Sequence, residues 1–471
     1  MSIPKSPQNR KAQLAALKDA FPDAFEGETP DLGRLIDECT QLCQEALSTP
    51  CLTWGGKWDA LQMIDHPIEG RLMSNGSEIS SLGGADHVLI EGDNLEVLKT
   101  LLKTHADGIK LMYIDPPYNT GKGFIYNDSF EAQIPNETGA VDATSRWLSF
   151  LFPRLMVAKQ LLKRDGVIFV SIDDNAFGHL KLLMDDIFGV ENHITTFVWR
   201  RSGAGGLRGK FPVSIHEYVL CYAKDKSTLE GRWFAPYSKS SAAAFSHKDS
   251  HGRFKTQALY LSTLKAGENQ RYPIRLPNGT LALPPGAGVW RFIESTFHQK
   301  HAAGEILFLE TPNSPLVLKN GDKAAFNIYT KQYMDSKGSN PPSILPDDLV
   351  GQTRTAKSEI RKLFNAAVFD YPKPVSLIQY LLSLVPCEEG SICLDFFAGS
   401  GSTAHAVVEL NHASSKRLRS ISIQSPEPIP ENHVAYSEGY RVISDITQER
   451  IRRVIPNDSS FLSLKHVTSA D

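Results

Sequence analysis

The sequence predicts an α/β protein in which a mostly parallel sheet is covered by helices, with a helical N-terminal extension and an inserted domain. Three observations lead there. From His87 onward, short apolar strands alternate with amphipathic helical stretches, the mark of a parallel sheet with helices on its faces. Between about 225 and 360 that alternation lapses, and Pro, Gly, Ser and isolated aromatics dominate before it returns. Residues 1 to about 50 carry apolar residues at helical spacing, as in Leu32, Leu35, Ile36, Cys39, Leu42, Cys43 and Leu47, which predicts one buried helix face.

The elements follow in order. Two N-terminal helices are broken near Phe21 to Pro30, and a loop-rich connector with Trp54 and Pro67 leads to residue 86. The strand HVLIEGD is followed by a helix around NLEVLKTLLK and by the strand IKLMYID, which stops at Pro116. The stretch TSRWLSFLFPRLMVAKQLLK is helical, with Pro153 expected to kink it or to mark a first turn. The strand GVIFVSID, the helix AFGHLKLLMDDIFG and the strands HITTFVWR and EYVLCYAK complete a first half over 87–224. The insert spans 225–360. The second half, 361–471, holds the helix PVSLIQYLLSLV, the strand SICLDFF, the helix AHAVVEL, the strand RSISIQ and the helix VISDITQERIRRV. In that last helix Glu449 and Arg453 form an i, i+4 pair that predicts a solvated face.

Composition narrows the function classes. At 471 residues the chain is long enough for a large core with satellites, and 41% hydrophobic with 22% charged residues is a soluble globular composition. No apolar run reaches the roughly 20 residues that cross a bilayer, and the start MSIPKSPQNRKAQ lacks the apolar segment of a secretory signal, so a cytoplasmic protein with no membrane partner is expected. Six cysteines without a C-x-x-C pair fit neither a disulfide framework nor a zinc site, and no metal is expected. A formal net charge of -3 means that any nucleic-acid contact has to come from a local basic surface.

Two motifs carry chemistry. Asp395, Phe396, Phe397, Ala398, Gly399, Ser400, Gly401, Ser402 and Thr403 lie between a strand and a helix. In an open α/β sheet that loop sits at the carboxyl end of a strand, where ligands bind, and its glycines let backbone approach a cofactor. No Lys follows the glycines, so it is not a P-loop, and a plain tight turn remains open beside cofactor binding. Asp115, Pro116, Pro117 and Tyr118 end a second buried strand. A ring-conjugated exocyclic amine such as adenine N6 is a poor nucleophile until acceptors localise its lone pair. The Asp115 carboxylate and the Pro116 carbonyl are such acceptors, and the Pro-Pro step removes backbone donors. Tyr118 offers a flat face for an extruded base, worth about 1–3 kcal/mol in stacking. The alternative is a strand end closed by prolines beside a surface tyrosine.

Together the two motifs resemble those of the DNA amino-methyltransferases, and their order, D-P-P-Y before F-x-G-x-G, is similar to the circularly permuted β group of adenine-N6 enzymes. The phrases IEGDNLEVL, YIDPPYNTG, WLSFLFPRL, DGVIFVSIDDN, HEYVLCYAKD, FDYPKP and LDFFAGSGSTAHAV resemble, as a series from about Trp54 to Val454, the modification (Mod) subunits of type III restriction-modification systems. The resemblance implies a Rossmann-like methyltransferase sheet and S-adenosylmethionine as cofactor, with direct transfer to N6 of a flipped-out adenine. It implies that the loop Asp395 to Thr403 holds the methionine and ribose part of the cofactor, that Lys373 flanks the pocket, and that Gln424, with Glu427 close behind, supplies a polar contact. It also implies that Asp93 accepts from the cofactor's adenine amino group. Solvated or capping roles stay open for Lys373 and Asp93.

For double-stranded DNA, the stretch from Arg200 through Lys210 holds Arg200, Arg201, Arg208 and Lys210 among glycines with no acid, and is expected to grip phosphates or close over a flipped base. The insert would be the target-recognition domain by the same resemblance, with Arg253, Lys255, Arg271, Arg275 and Arg291 set among aromatics. The chain ends at Asp471, shortly after VISDITQERIRRV, whereas such Mod subunits continue further. A Mod subunit paired with a restriction subunit and a second copy, and a stand-alone or truncated methyltransferase, both stay open.

Overall fold

A computed structural model describes residues 52–119 and 142–468 apart from 69, 75, 204–209, 263–267, 415–416 and 456–457, together with 14, 17–18, 21–27 and 29–37. Cys39, Cys43 and Arg208 lie outside the described residues. Of the described residues of the predicted N-terminal stripe, Leu32 is 69% and Ile36 62% exposed, so these two do not bury the face their spacing predicts.

The central body is a ten-stranded sheet. Its strands are β1 (Gly70–Ser74), β2 (Ser77–Glu78), β3 (His87–Glu91), β4 (Ile109–Ile114), β5 (Leu162–Ile172), β6 (His193–Arg200), β7 (His216–Ala223), β8 (Ile392–Asp395), β9 (Arg419–Gln424) and β10 (Phe461–Thr468). Across the sheet they run β2-β1-β10-β3-β9-β8-β4-β5-β7-β6. Six adjacent strands from β10 to β5 are parallel, and β7 runs antiparallel between β5 and β6. Strand β1 falls in the stretch read as connector and β10 follows the last predicted helix; β10 alternates apolar and polar residues and pairs in parallel with β3 far away in sequence.

Helices that build the body are α1 (Lys57–Asp65), α2 (Asn94–His105), α3 (Ala143–Leu161), α4 (Phe177–Phe188), α5 (Thr353–Phe364), α6 (Val375–Leu384), α7 (Ser402–Ala413) and α8 (Ile443–Val454). Alternation along the strands gives the sheet two apolar faces. Met112, Ile114, Ile168 and Val170 pack under α2, α3 and α4, while Leu111, Tyr113, Val167 and Phe169 pack under α6 and α7. Asp142 starts α3 by accepting from the Thr144 and Ser145 N–H groups. Pro153 lies deep inside that helix rather than in its first turn.

Crossovers explain where a site can form. From β4 the chain passes through α3 to β5 on one side, and from β8 through α7 to β9 on the other. Strands β4 and β8 are neighbours, with Met112 beside Leu394, so the strand order reverses between them. A crevice opens outside the carboxyl ends of strands at such a switch point. This Rossmann-like sheet therefore brings residues 115–118 and 395–403, distant in sequence, to one rim.

Residues between 245 and 333 form their own unit, an antiparallel sheet of His247–Asp249, Gly252–Ala258, Phe326–Tyr333 and Ile306–Glu310. Leu259, Trp290, Phe297, Leu316 and Ile328 make a separate core beneath it. Chain around 345–364 returns to the body, with Leu345 and Val350 packed in the sheet's core and Ile360 and Phe364 against α8. Among the described residues no helix is long and apolar enough to cross a membrane.

Candidate active site

One cavity of about 280 Å³ lies over the switch point and is lined from both halves of the chain. Asp93, Asp115, Pro117, Lys373, Gln424 and the loop residues Asp395–Ser400, Ser402 and Thr403 all border it. Of the residues singled out from sequence, Pro116, Tyr118 and Gly401 stand just behind this lining. Pro116 is buried, Tyr118 turns its hydroxyl onto Asp115, and Gly401 backs onto α8.

The glycine loop is held as a rigid turn. Gly399 and Gly401 have φ of +51° and +80°, left-handed values that a side chain disfavours. A Cβ on Gly401 would also stand 3.3 Å from Thr447 Cγ2, close enough that this neighbour would have to give by a few tenths of an ångström. Asp395 ends β8 fully buried and accepts from Phe397 N at 2.9 Å and Thr403 Oγ1 at 2.5 Å. Burial pushes its carboxyl up to about 7, against those two hydrogen bonds. Gln424 Oε1 accepts from Gly399 N at 2.7 Å, which ties β9 to the loop.

Helix α8 does more than present a solvated face. Thr447 donates to the Gly399 carbonyl at 2.5 Å, and Arg450 Nη1 donates to Ser400 Oγ and Ser402 Oγ, both at 2.9 Å. Arg450 is fully buried, its side chain in reach of Glu359 on α5 at 3.9 Å, and burial lowers its guanidinium to about 10. Thr447 and Arg450 are one helical turn apart, a spacing that can be read from sequence but does not announce what it grips.

Asp93 does cap α2, accepting from Leu95 N at 2.9 Å and Glu96 N at 3.1 Å. It nevertheless borders the cavity, and Arg154 Nη2 donates to its second oxygen at 3.2 Å. Arg154 also donates to Asn94, whose amide donates to the Phe396 carbonyl at 2.9 Å, so α3 and α2 together brace the loop after β8. Phe150, one turn before Arg154, lies under its guanidinium at 3.8 Å and meets Phe397 at 5.9 Å between ring centres. Phe150 and Arg154 escaped the sequence reading, although their i, i+4 spacing places them on one face of a predicted helix.

At the other end of the cavity the D-P-P-Y turn is fixed by the Trp147 indole, which donates to the Pro117 carbonyl at 2.6 Å. Lys373 reaches across from the loop before α6. Its Nζ donates to both Asp115 oxygens at 2.7 Å and to Tyr118 Oη at 2.7 Å. Thus Lys373 does more than flank the pocket: it grips the D-P-P-Y carboxylate. Burial opposes its charge, but the carboxylates of Asp115 and Glu217 outweigh that and raise the ammonium above its usual range. Glu217 on β7, which sequence reading missed, stands 3.5 Å from the same Nζ and 3.2 Å from Tyr118 Oη. A lone acid in an alternating strand gives no sequence signal of this contact.

The basic stretch is partly engaged within the protein. Arg200 pairs with Asp347 at 3.0 Å and Arg201 with Glu217 at 3.6 Å, while Lys210 lies over the Phe211 ring at 5.5 Å. Within the insert, Arg291 donates to the Ala258 carbonyl at 2.7 Å and Arg271 to Gly288 at 2.5 Å.

Residues 109–427 match a family model described as DNA methylase. The type III restriction-modification enzyme EcoP15I Mod subunit of Escherichia coli is 30% identical over 94% of this chain and 75% of its own. The type II methyltransferase M.KpnI of Klebsiella pneumoniae is 34% identical over 81% of this chain and 91% of its own. Among solved structures, a putative DNA modification methylase of Thermus thermophilus, complexed with S-adenosyl-L-methionine, is 14% identical with a TM-score of 0.38, covering 80% of this chain and 99% of that one.

Proposed function

Since this chain belongs to the DNA methylase family, we propose that it transfers a methyl group from S-adenosylmethionine to N6 of an adenine flipped out of double-stranded DNA. The observation that carries this reading is the meeting of Asp115 and the Asp395–Thr403 loop at the border of one cavity.

The residues present suit the cofactor. Left-handed Gly399 leaves backbone within reach of a ligand, and Asp93, Asp395 and Asp115 give the cavity an acidic lining suited to a sulfonium and an amino group. Phe397 and Phe150 supply aromatic surface beside it. S-adenosylmethionine, when bound, supplies an electrophilic methyl group. Asp115 and the Pro116 carbonyl accept from the two amine hydrogens and localise the nitrogen lone pair. Tyr118 stacks on the extruded base, and Lys373 fixes the Asp115 carboxylate so that the amine is held in line. Neither a cysteine nor a serine is asked to act as nucleophile.

The part of the expected 225–360 insert that forms its own unit, residues 245–333, and the basic stretch around Arg200, Arg201, Arg208 and Lys210 are what we assign to DNA; residues 345–364 pack with the body and are left out of that assignment. Pairing with a restriction subunit follows the names of the Mod relatives and is part of the same proposal, to which we add pairing with a second copy. Labelled methyl transfer to genomic DNA followed by nucleoside analysis tests the function. Label in N6-methyladenine is expected, while label in N4-methylcytosine overturns the choice of base and no label in any DNA overturns the activity.

A further inference from the structure

Glu217 is a buried carboxylate to which amine methylation, as set out above, gives no task. Its Oε2 lies 3.2 Å from the Tyr118 hydroxyl and 3.5 Å from Lys373 Nζ. Its Oε1 lies 3.6 Å from Arg201 Nε, on a side chain that is 41% exposed. A second carboxylate buried beside Asp115 is costly, and replacing such buried charges by well-packed apolar side chains is often neutral or stabilising. Its presence therefore points to chemistry.

The Tyr118 hydroxyl has one hydrogen and two carboxylate oxygens in reach, Asp115 Oδ1 at 2.7 Å and Glu217 Oε2 at 3.2 Å. Lys373 donates to its oxygen at 2.7 Å, so the hydroxyl hydrogen is directed toward one carboxylate or the other. This is the arrangement that a proton relay needs. We propose that Glu217 is the terminal proton acceptor of amine methylation, reached from Asp115 through the Tyr118 hydroxyl, with Arg201 marking the way out to solvent.

The inference rests on the amine-methylation reading. The nitrogen lone pair forms the N–CH3 bond while the S–CH3 pair stays on the sulfur of the sulfonium donor, which leaves as a neutral thioether. The cationic amine then gives one N–H proton to Asp115. Asp115 passes a proton to the Tyr118 oxygen as the tyrosine's own hydrogen moves to Glu217, and Lys373 keeps its charge throughout. Burial holds the Glu217 carboxyl above the ordinary carboxylate range, with Lys373 opposing and Asp115 reinforcing that shift. The groups facing Glu217 are Lys373 from the loop before α6, Tyr113 from β4, Asp115 and Tyr118 from the turn after it, and Arg201 from the end of β6.

Single-turnover transfer to DNA at saturating cofactor, measured against pH, tests the relay in the unaltered protein, Glu217→Gln, Tyr118→Phe and the double variant. The unaltered protein should lose rate at acid pH as Glu217 takes up a proton. Glu217→Gln should slow transfer by about 100-fold, within the range of lost acid–base catalysis, abolish the acid limb and leave cofactor affinity unchanged. The double variant should be no slower than the slower single one. In the unliganded protein, one carboxylic-acid infrared band titrating above the ordinary range should be lost in Glu217→Gln while the band lost in Asp395→Asn remains. A Glu217→Gln rate within two-fold of the unaltered protein, an intact acid limb, multiplied losses in the double variant, or no such band overturns the relay. If Glu217→Gln fails to fold, Tyr118→Phe, which deletes one oxygen, carries the same pH test. No transfer by the unaltered protein overturns the methylation reading and the relay with it, whereas normal transfer by that protein alongside an unaffected Glu217→Gln overturns the relay alone.

Discussion

Replacing Lys373 by Met keeps an unbranched apolar side chain as far as Cε but removes the ammonium that serves Asp115, Tyr118 and Glu217. The side chain is only 10% exposed, and its nitrogen makes three 2.7 Å contacts to Asp115 and Tyr118. Deleting one partner of a buried charge cluster leaves the others uncompensated, at a cost of about 3–5 kcal/mol. With an unfolding entropy of about 2 cal/mol/K per residue over the roughly 400 described residues, that loss lowers Tm by about 4–6 °C. The sign of its pH dependence follows from linkage. Lys373, raised above its unfolded value, contributes stability below the ordinary lysine range and loses it only as pH climbs through its raised value. Glu217, also raised, favours the folded state at low pH and disfavours it once ionised, and without Lys373 that penalty grows. The Tm difference between the unaltered protein and Lys373→Met should therefore be larger at pH 8.5 than at pH 5.5. Melting curves followed by circular dichroism at the two pH values measure it. An equal difference at both, or a larger one in acid, would refute the shared-ammonium argument.

Asp395, raised to about 7 by burial, should release a proton when a cationic ligand binds, so cofactor affinity should rise as pH climbs through 7. Calorimetry in buffers of different ionisation enthalpy should detect that release, and Asp395→Asn should abolish it. Thr447→Val removes the hydroxyl that holds the Gly399 carbonyl, and should weaken cofactor binding about five-fold, the equivalent of one ordinary hydrogen bond of about 1 kcal/mol; unchanged affinity removes α8 from the site. Asp115→Ala should lower transfer by at least about 1,000-fold, the scale of a lost acceptor in a preorganised site, and retained turnover refutes its role.

The strands and helices around the site were legible because their apolar periods are strong. His87–Glu91, Ile109–Ile114 and Arg419–Gln424 emerge almost as the sequence predicts. Strand Phe461–Thr468 escaped because its short alternation gains meaning only beside β3, a partner more than 350 residues away. The predicted face holding Leu32 and Ile36 met no partner among the described residues, since spacing records the capacity to be buried and not the presence of a surface to bury against. Within the site, Asp115 and Gly399 were legible because proline and glycine limit the backbone in recognisable ways. Glu217, Arg154, Thr447 and Arg450 were not, because each acts through side-chain contacts across the sheet that no local pattern encodes. Lys373 was expected to flank the pocket of the glycine loop and borders the same cavity, but its grip on Asp115 depends on a loop and a turn meeting in three dimensions.

The central claim is that the D-P-P-Y turn and the glycine loop serve one transfer. A crystal structure of the protein with a non-transferable S-adenosylmethionine analogue tests it most directly. The analogue should lie along Asp395–Thr403, with the group that replaces the methyl turned toward Asp115. An analogue bound in another cavity, or with that group facing away from Asp115, would contradict it.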